Sequence, residues 1–352
     1  MLKSTARLVA ILLFSLPSFG QGAAPHASMA KYEPMLGNWV GRGFVRETAE
    51  SEPIAWVAVQ SVTKVFGGQF VQTDMRIEFD GAPSVLEFRE ILGWDRKHDR
   101  PQHVIFSNAA SAEVVDSRFV DDNTLVSVRH GWMDQVSEVE RTTLTFGAGA
   151  YTMKMDRARG SEPMFTHVEG RFVKGERTFS ARSPEANIVF LEEADGHMGR
   201  IAVMTGNYTF QGWTKPNIAG EKLNIEGANG IETIFGGHVL TSHISGNLIG
   251  STVTFETWTY TTWSADKKCY VSVALDGGGG MSISEARWNG AKQLLYTGVN
   301  TQIATPRMRR RVLDLEDDGT LATLFGDSLF GSAEPYRDLQ ISFAVGGPET
   351  SK

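Results

Sequence analysis

Apolar and polar residues alternate with a period of two along Phe70-Val71-Gln72-Thr73-Asp74-Met75-Arg76-Ile77-Glu78. That period marks a strand with one buried face, not an amphipathic helix. β-rich runs at Asn38 to Arg46, Ile54 to Phe66, Gln69 to Phe79, Val85 to Trp94 and His103 to Ser107 continue in the same manner to Phe172. Turn residues punctuate them, as at Asp80-Gly81-Ala82-Pro83, Asp121-Asp122-Asn123 and Asp317-Asp318-Gly319. The spacing suits an antiparallel meander, so an all-β fold is expected. Roughly eight to ten strands would close into one up-and-down barrel and leave no exposed edge. A β-sandwich in each half is the other arrangement that the alternation admits.

The pattern occurs twice. Shifted by 169 positions, Met35-Leu36-Gly37-Asn38-Trp39 falls on Met204-Thr205-Gly206-Asn207-Tyr208, and Phe66-Gly67-Gly68 on Phe235-Gly236-Gly237. The same register lays Gly43 on Gly212, Gly81 on Gly250, Glu87 on Glu256, Trp94 on Trp263, Arg118 on Arg287 and Leu125 on Leu294. Glycine and tryptophan identities held in one register point to an internal duplication. The expected organisation is one barrel over residues 30–180 and a second over 200–348, joined in the polar stretch from about Gly175 to Gly199. At 352 residues with 41% hydrophobic positions, the chain is long enough for two such cores.

The N-terminus carries Lys3 and Arg7, the apolar run Leu8 to Phe14, then Pro17 and small residues at Gly20, Gly22, Ala23 and Ala24. This order predicts a signal peptide over residues 1–24 and a periplasmic or secreted protein. No later stretch reaches the roughly 20 apolar residues of a membrane-spanning helix, so no integral membrane segment is expected after its removal. A net charge of −7 without a large basic block argues against nucleic acid as a partner. The single cysteine, Cys269, excludes an intramolecular disulfide and reads as a strand residue.

The run Leu36-Gly37-Asn38-Trp39-Val40-Gly41-Arg42-Gly43, then Val65-Phe66-Gly67-Gly68-Gln69-Phe70, then Ile91-Leu92-Gly93-Trp94-Asp95, resembles an uncharacterised bacterial family of lipocalin-like domains. Its start is also similar to nitrobindin-like and fatty-acid-binding-like barrels. The resemblance covers most of residues 35–174 and, more weakly, 204–345. The second copy departs from it, with Tyr208 in place of Trp39 and Thr261-Thr262-Trp263-Ser264 in place of Leu92-Gly93-Trp94-Asp95. The resemblance implies two tandem antiparallel up-and-down lipocalin-like β-barrels, each around an apolar or mixed cavity, with no shared catalytic motif. It supplies no histidine at the axial position that haem would need. The tryptophans Trp39, Trp94 and Trp263 read as core plugs, and the Gly-Gly pairs as tight turns.

Chemistry is less legible. The eight histidines lack the spacing of a metal site, and no Gly-x-Ser-x-Gly, His-Glu-x-x-His or Gly-x-Gly-x-x-Gly signal occurs. No metal and no cofactor is therefore expected. Arg307, Arg309, Arg310 and Arg311 form the one basic cluster and read as the exposed face of a strand.

Glu87 with Arg118, and Glu256 with Arg287, recur in both copies and could fix the polar end of a ligand, or form salt bridges at a barrel mouth. The second copy adds His243, Trp258 and Tyr260, near Trp263 and Tyr270. His130, Glu87 and His243 are the acid or base candidates. The expected site thus comprises Glu87, Arg118, His130, His243, Glu256, Trp258, Tyr260 and Arg287. The expected partner is a small hydrophobic or amphipathic molecule held in a cavity. A cofactor-independent lyase or isomerase inside one barrel and a structural module with filled barrels are the alternatives.

Overall fold

Strands that bury a single face must curl or stack, and here they curl. In a computed structural model the described residues are 24–82, 85–96, 98–108, 111–133, 136–177, 192–215, 218–265, 267–300, 307–330 and 334–346. The expected signal peptide before Ala24, and the part of the expected junction that holds Ser183-Pro184-Glu185, lie outside them.

The unit Pro25–Leu191 contains strands β1 (Gly37–Val45), β2 (Ile54–Val65), β3 (Phe70–Phe79), β4 (Val85–Asp95), β5 (Arg100–Ser107), β6 (Ser111–Asp121), β7 (Thr124–Met133), β8 (Val136–Gly147), β9 (Ala150–Arg159) and β10 (Phe165–Lys174). Each pairs antiparallel with the next, and β1 returns to β10 with Gly41 opposite Phe172. A second unit holds helix α1 (Glu192–Ala202) and then β11 (Gly206–Thr214), β12 (Leu223–Ile234), β13 (Val239–Leu248), β14 (Thr254–Ser264), β15 (Cys269–Asp276), β16 (Met281–Trp288), β17 (Gln293–Asn300), β18 (Arg307–Leu315), β19 (Leu321–Phe330) and β20 (Tyr336–Val345). It closes in the same way, with Phe210 of β11 opposite Phe343 of β20. Two closed antiparallel barrels of ten strands each replace the sandwich alternative, and every strand edge is paired.

One end of each barrel is plugged by the segment before its first strand. A 3₁₀ segment, Ala27–Met35, buries Met29, Tyr32 and Met35 in the first barrel. In the second, α1 and the turn after it bury Met198, Ile201 and Met204, the same positions after a shift of 169. Trp39 donates its indole N–H to the Met35 carbonyl at 2.7 Å, and Tyr208 donates its hydroxyl to the Met204 carbonyl at 2.9 Å. His26 stacks on Trp94 and His197 on Trp263, with ring centroids 5.6 and 3.5 Å apart. The plug is thus part of the repeat, which extends upstream of Met35.

A helix stands in the last part of the polar stretch that ends at Gly199. Gly196 and Gly199 disguise it, but Ala194, Met198 and Ile201 lie four and three residues apart and form one buried stripe. The Gly-Gly turns are as expected: Gly67 and Gly68 have φ of 61° and 90°, and Gly236 and Gly237 of 66° and 98°. Glycine adopts such values without strain.

Inside the first barrel, Trp56 lies across the facing pair Gly43 and Gly170, where any side chain would collide with its indole. Trp39, Tyr151, Phe172 and Trp56 form a chain of ring contacts that runs from the plug into the barrel, with Tyr151 and Phe172 stacked at 4.5 Å.

Candidate functional site

Side chains on a strand take alternate faces, so in a closed barrel every second residue faces the interior. In the second barrel the inward residues surround a cavity of about 190 Å³. Its apolar wall includes Ile231, Leu240, Ile244, Phe255, Leu324 and Phe343. Hydroxyls from Ser242, Thr257, Thr259, Thr261, Ser272 and Ser284 face the same space, and Met204 reaches it from the plug.

Two guanidinium side chains and a phenol also line it: Arg309 and Arg311 on β18, and Tyr296 on β17. Arg311 lies directly opposite Tyr296 in the strand register. Arg311 donates through Nη1 and Nη2 to the two carboxylate oxygens of Asp338 at 3.0 and 3.1 Å. Ser328 Oγ donates to the same carboxylate at 2.5 Å. A bidentate pair with a further donor is the arrangement that makes a buried ion pair tolerable. Burial pushes the Tyr296 phenol up, so it remains a neutral hydroxyl.

This corrects the reading of the arginine cluster. Arg310, between them, is exposed and pairs with Asp327 at 3.4 Å, while Arg309 and Arg311 face inward. A run of like residues on a strand is divided between two faces, and of the inner pair Arg311 meets Asp338. The side chain of Arg307 lies outside the described residues.

The first barrel is built differently inside. Midway along it, Glu90 of β4 lies opposite Thr73 of β3, and His103 of β5 opposite Leu92. His103 Nε2 stands 3.9 Å from Glu90 Oε1, and Nδ1 is 3.1 Å from Ser117 Oγ, itself 2.7 Å from Ser127 Oγ. Tyr151 donates its hydroxyl to Gln60.

Burial pushes the Glu90 carboxyl up to about 7 and the His103 imidazole down to about 4. Burial, and then the charge of Glu90, raise the Tyr151 phenol. Toward the end away from the plug, Arg129 bonds Glu113 at 2.5 Å and also bonds Glu140, which Arg157 holds at 2.6 Å. Burial alone would lower the Arg129 pKa, but Glu113, Glu140 and Glu138 outweigh it and raise it.

The eight residues expected at the site occupy the outward register. Glu87 pairs with Arg76 at 3.4 Å, across from Val59 and Val40 on the outer face, and does not meet Arg118, which is exposed. His130 is exposed opposite Val139. In the second barrel His243, Glu256 and Trp258 do come together: His243 Nε2 lies 2.9 Å from Glu256 Oε1, and the Trp258 indole donates to that oxygen at 3.1 Å. Tyr260 follows Trp258 on the same face, with ring centroids 6.4 Å apart. Arg287 donates to the carbonyls of Lys267 and Lys268 instead of to Glu256. None of the eight lines the cavity, whose wall on β14 is Phe255, Thr257, Thr259 and Thr261.

Sequence reasoning missed Glu90, His103, Tyr296 and Asp338, and it gave Arg309 and Arg311 to the outer face. A polarity inversion hid them: on β14 the inner positions after Phe255 are threonines and the outer ones are Trp258 and Tyr260. On β4 the apolar Ile91 faces outward and Glu90 inward. Strand parity was the signal available, because Gln60, Thr73 and Glu90 are linked through registers that also place Met75 and Leu92 inside.

Cys269 is buried on β15, which raises its thiol pKa and suits a strand residue better than a nucleophile. No group of three histidine, cysteine, aspartate or glutamate side chains able to hold a metal ion occurs among the described residues. No helix among them is long and apolar enough to cross a membrane.

No family model matches the sequence, and no curated protein matches it. Among solved structures, an S-type phycobiliprotein lyase from Guillardia theta is 13% identical, covering 44% of this chain and 100% of that one, with a TM-score of 0.31. A protein of unknown function of the DUF3598 family from Nostoc punctiforme is 11% identical over 90% of this chain and 98% of its own, at 0.26. Kievitone hydratase from Nectria haematococca is 8% identical over 95% and 98%, at 0.16. These likenesses are too distant to assign an activity.

Proposed function

We propose that the chain is an exported binding protein whose second barrel holds one small amphipathic molecule. The observation that carries this reading is the 190 Å³ cavity, mostly apolar in its wall and provided with Arg309, Arg311 and Tyr296. A closed apolar space of about 150 Å³ accepts a benzene ring, whereas drug-sized ligands occupy roughly 300 Å³ or more. The ligand is therefore of the order of one substituted ring or a short chain. Its apolar body fits against Ile231, Leu240, Ile244 and Phe255, and a hydrogen-bond-accepting or anionic end fits toward Arg309 and the Tyr296 hydroxyl. Export rests on the N-terminal sequence pattern.

Native mass spectrometry of the protein purified from its own host, followed by organic extraction, tests the reading. The expected result is one adduct per chain, lost on extraction and weakened at least about tenfold, or 1.4 kcal/mol, in Arg309→Leu. A chain that carries no adduct, and binds none of the small apolar acids, phenols or alcohols added to it, would contradict it. The reading of the protein as a cofactor-independent enzyme draws support from a different place, the Glu90 and His103 pair of the first barrel.

A further inference from the structure

The first barrel places two groups of opposite proton affinity side by side and surrounds them with hydroxyls. His103 is 5% exposed and Thr73 0%, yet His103 Nε2 and Thr73 Oγ1 have no hydrogen-bond partner. A buried polar group left unsatisfied is costly, and a ligand that bonds to it recovers the loss. The gap of 3.9 Å between Nε2 and Glu90 Oε1 exceeds a hydrogen bond and is short enough for one bridging polar atom. The Glu90 side chain, deep in the barrel, still keeps 16% of its surface accessible, and inward-facing Phe88, Leu144 and Met153 are also only half-buried. These inward side chains keep accessible surface although the sheet is closed.

The hydroxyl relay sets the imidazole. When Ser127 donates to Ser117, and Ser117 to His103 Nδ1, the ring proton sits on Nε2 and points toward Glu90 and the interior. A carboxylate then faces a neutral N–H donor, the division of roles by which a C–H next to a carbonyl is ionised.

We propose that Glu90 and His103 form a proton-transfer site for a small uncharged ketone or aldehyde. The Glu90 carboxylate removes a proton from the carbon beside the carbonyl. The C–H electron pair becomes the C=C bond of the enolate, and the carbonyl π pair moves to its oxygen, which accepts the hydrogen bond from His103 Nε2–H. Glu90 then gives a proton back: to the same carbon, after its carboxyl hydrogen has traded with solvent, for exchange, or to the next carbon of a conjugated system for isomerisation. No oxidant, reductant or metal enters the balance. This site is separate from the cavity of the second barrel, so either assignment stands or falls without the other.

The charged and titratable groups facing the pair are Tyr151 on β9, with Glu113, Arg129, Glu138, Glu140, Arg157 and, on β10, His167 farther along. Each of these carboxylates is paired with Arg129 or Arg157.

The test uses cyclohexanone in D₂O and follows exchange of its α-protons by NMR with the full chain. Exchange above the buffer rate is expected, rising through about pH 7 as Glu90 ionises. Glu90→Gln should lower the protein-dependent rate by about 100-fold or more, and His103→Gln by at least about tenfold. An independent readout is the Glu90 carboxyl ¹³C shift in the unmodified protein, expected to titrate near 7. Exchange at the buffer rate from about pH 5 to about pH 9, or exchange unaltered in Glu90→Gln, would overturn the proposal. So would a Glu90 carboxyl that titrates in the ordinary carboxylate range.

Discussion

The two barrels share strand order, closure, turn geometry and plug, yet equivalent inward positions hold opposite chemistry. Under the shift of 169, Glu90 becomes Thr259, His103 becomes Ser272, Ser127 becomes Tyr296, Arg129 becomes Gly298 and Glu140 becomes Arg309. The first barrel answers its buried charges with one another, through Arg129, Glu140 and Arg157. The second has glycine at 298 and arginine at the facing position 309, and both border an open cavity. The plug contact, by contrast, persists while its residue changes: an indole N–H in one copy and a phenol O–H in the other reach the equivalent carbonyl, of Met35 and of Met204. Duplication has held the frame and released the interior.

Filling position 298 should break the difference most sharply. Gly298→Arg puts a guanidinium where Arg129 stands in the first barrel, and Ser284 and the Ile283 carbonyl crowd that position. One-to-one ligand binding is expected to fall by at least about tenfold, equivalent to 1.4 kcal/mol, with the far-ultraviolet spectrum unchanged. Retained binding would mean the cavity is not the site.

The plugs come next. Trp39→Ala removes a fully buried indole and its hydrogen bond, and should cost about 3–5 kcal/mol in urea unfolding. Tyr208→Phe in the second barrel removes only the hydroxyl and should cost about 1 kcal/mol. A loss in Trp39→Ala no larger than in Tyr208→Phe would contradict the burial of the indole against the plug.

The pH dependence of the first barrel is the third contrast. His103, lowered from 6.5 to about 4, adds stability as pH rises from about 4 to 6.5, because in that window the unfolded chain binds the extra proton. Glu90, raised from 4.5 to about 7, removes stability as pH rises from 4.5 to about 7, because there the folded chain holds it. The two slopes oppose each other across most of the same window. Glu90→Gln should expose a rising stability and His103→Gln a falling one; parallel curves for the two variants would contradict the paired burial. The smallest effects belong to the outward residues: Arg118→Ala, His130→Ala and Arg287→Ala should each stay within about 0.5 kcal/mol and leave binding unchanged.

The frame was legible because it is written in backbone requirements. Period-two alternation recurs in both copies, and so do Gly37, Gly67 and Gly68 with Gly206, Gly236 and Gly237, all at positive φ. The plug was half legible: Trp39 was readable as a core residue, but Met29, Tyr32 and Met35 lie on a 3₁₀ segment with no strong amphipathic signature.

The interior was not legible. Glu87 and Arg118 recur in both copies, and recurrence drew them into the expected site, yet position 87 keeps its glutamate on an outer face. Residues that differ between copies, such as Glu90 against Thr259, are where the interiors diverged, and a search for what repeats passes over them.

The most direct measurement is a crystal structure of the protein purified from its own host without refolding. The account predicts density for one small molecule inside the second barrel, its apolar part against Phe255 and Ile244 and its polar end within hydrogen-bond reach of Arg309 or Tyr296. A cavity filled only by water or by its own side chains, with the molecule found on the outer cluster of His243, Glu256 and Trp258, would contradict it.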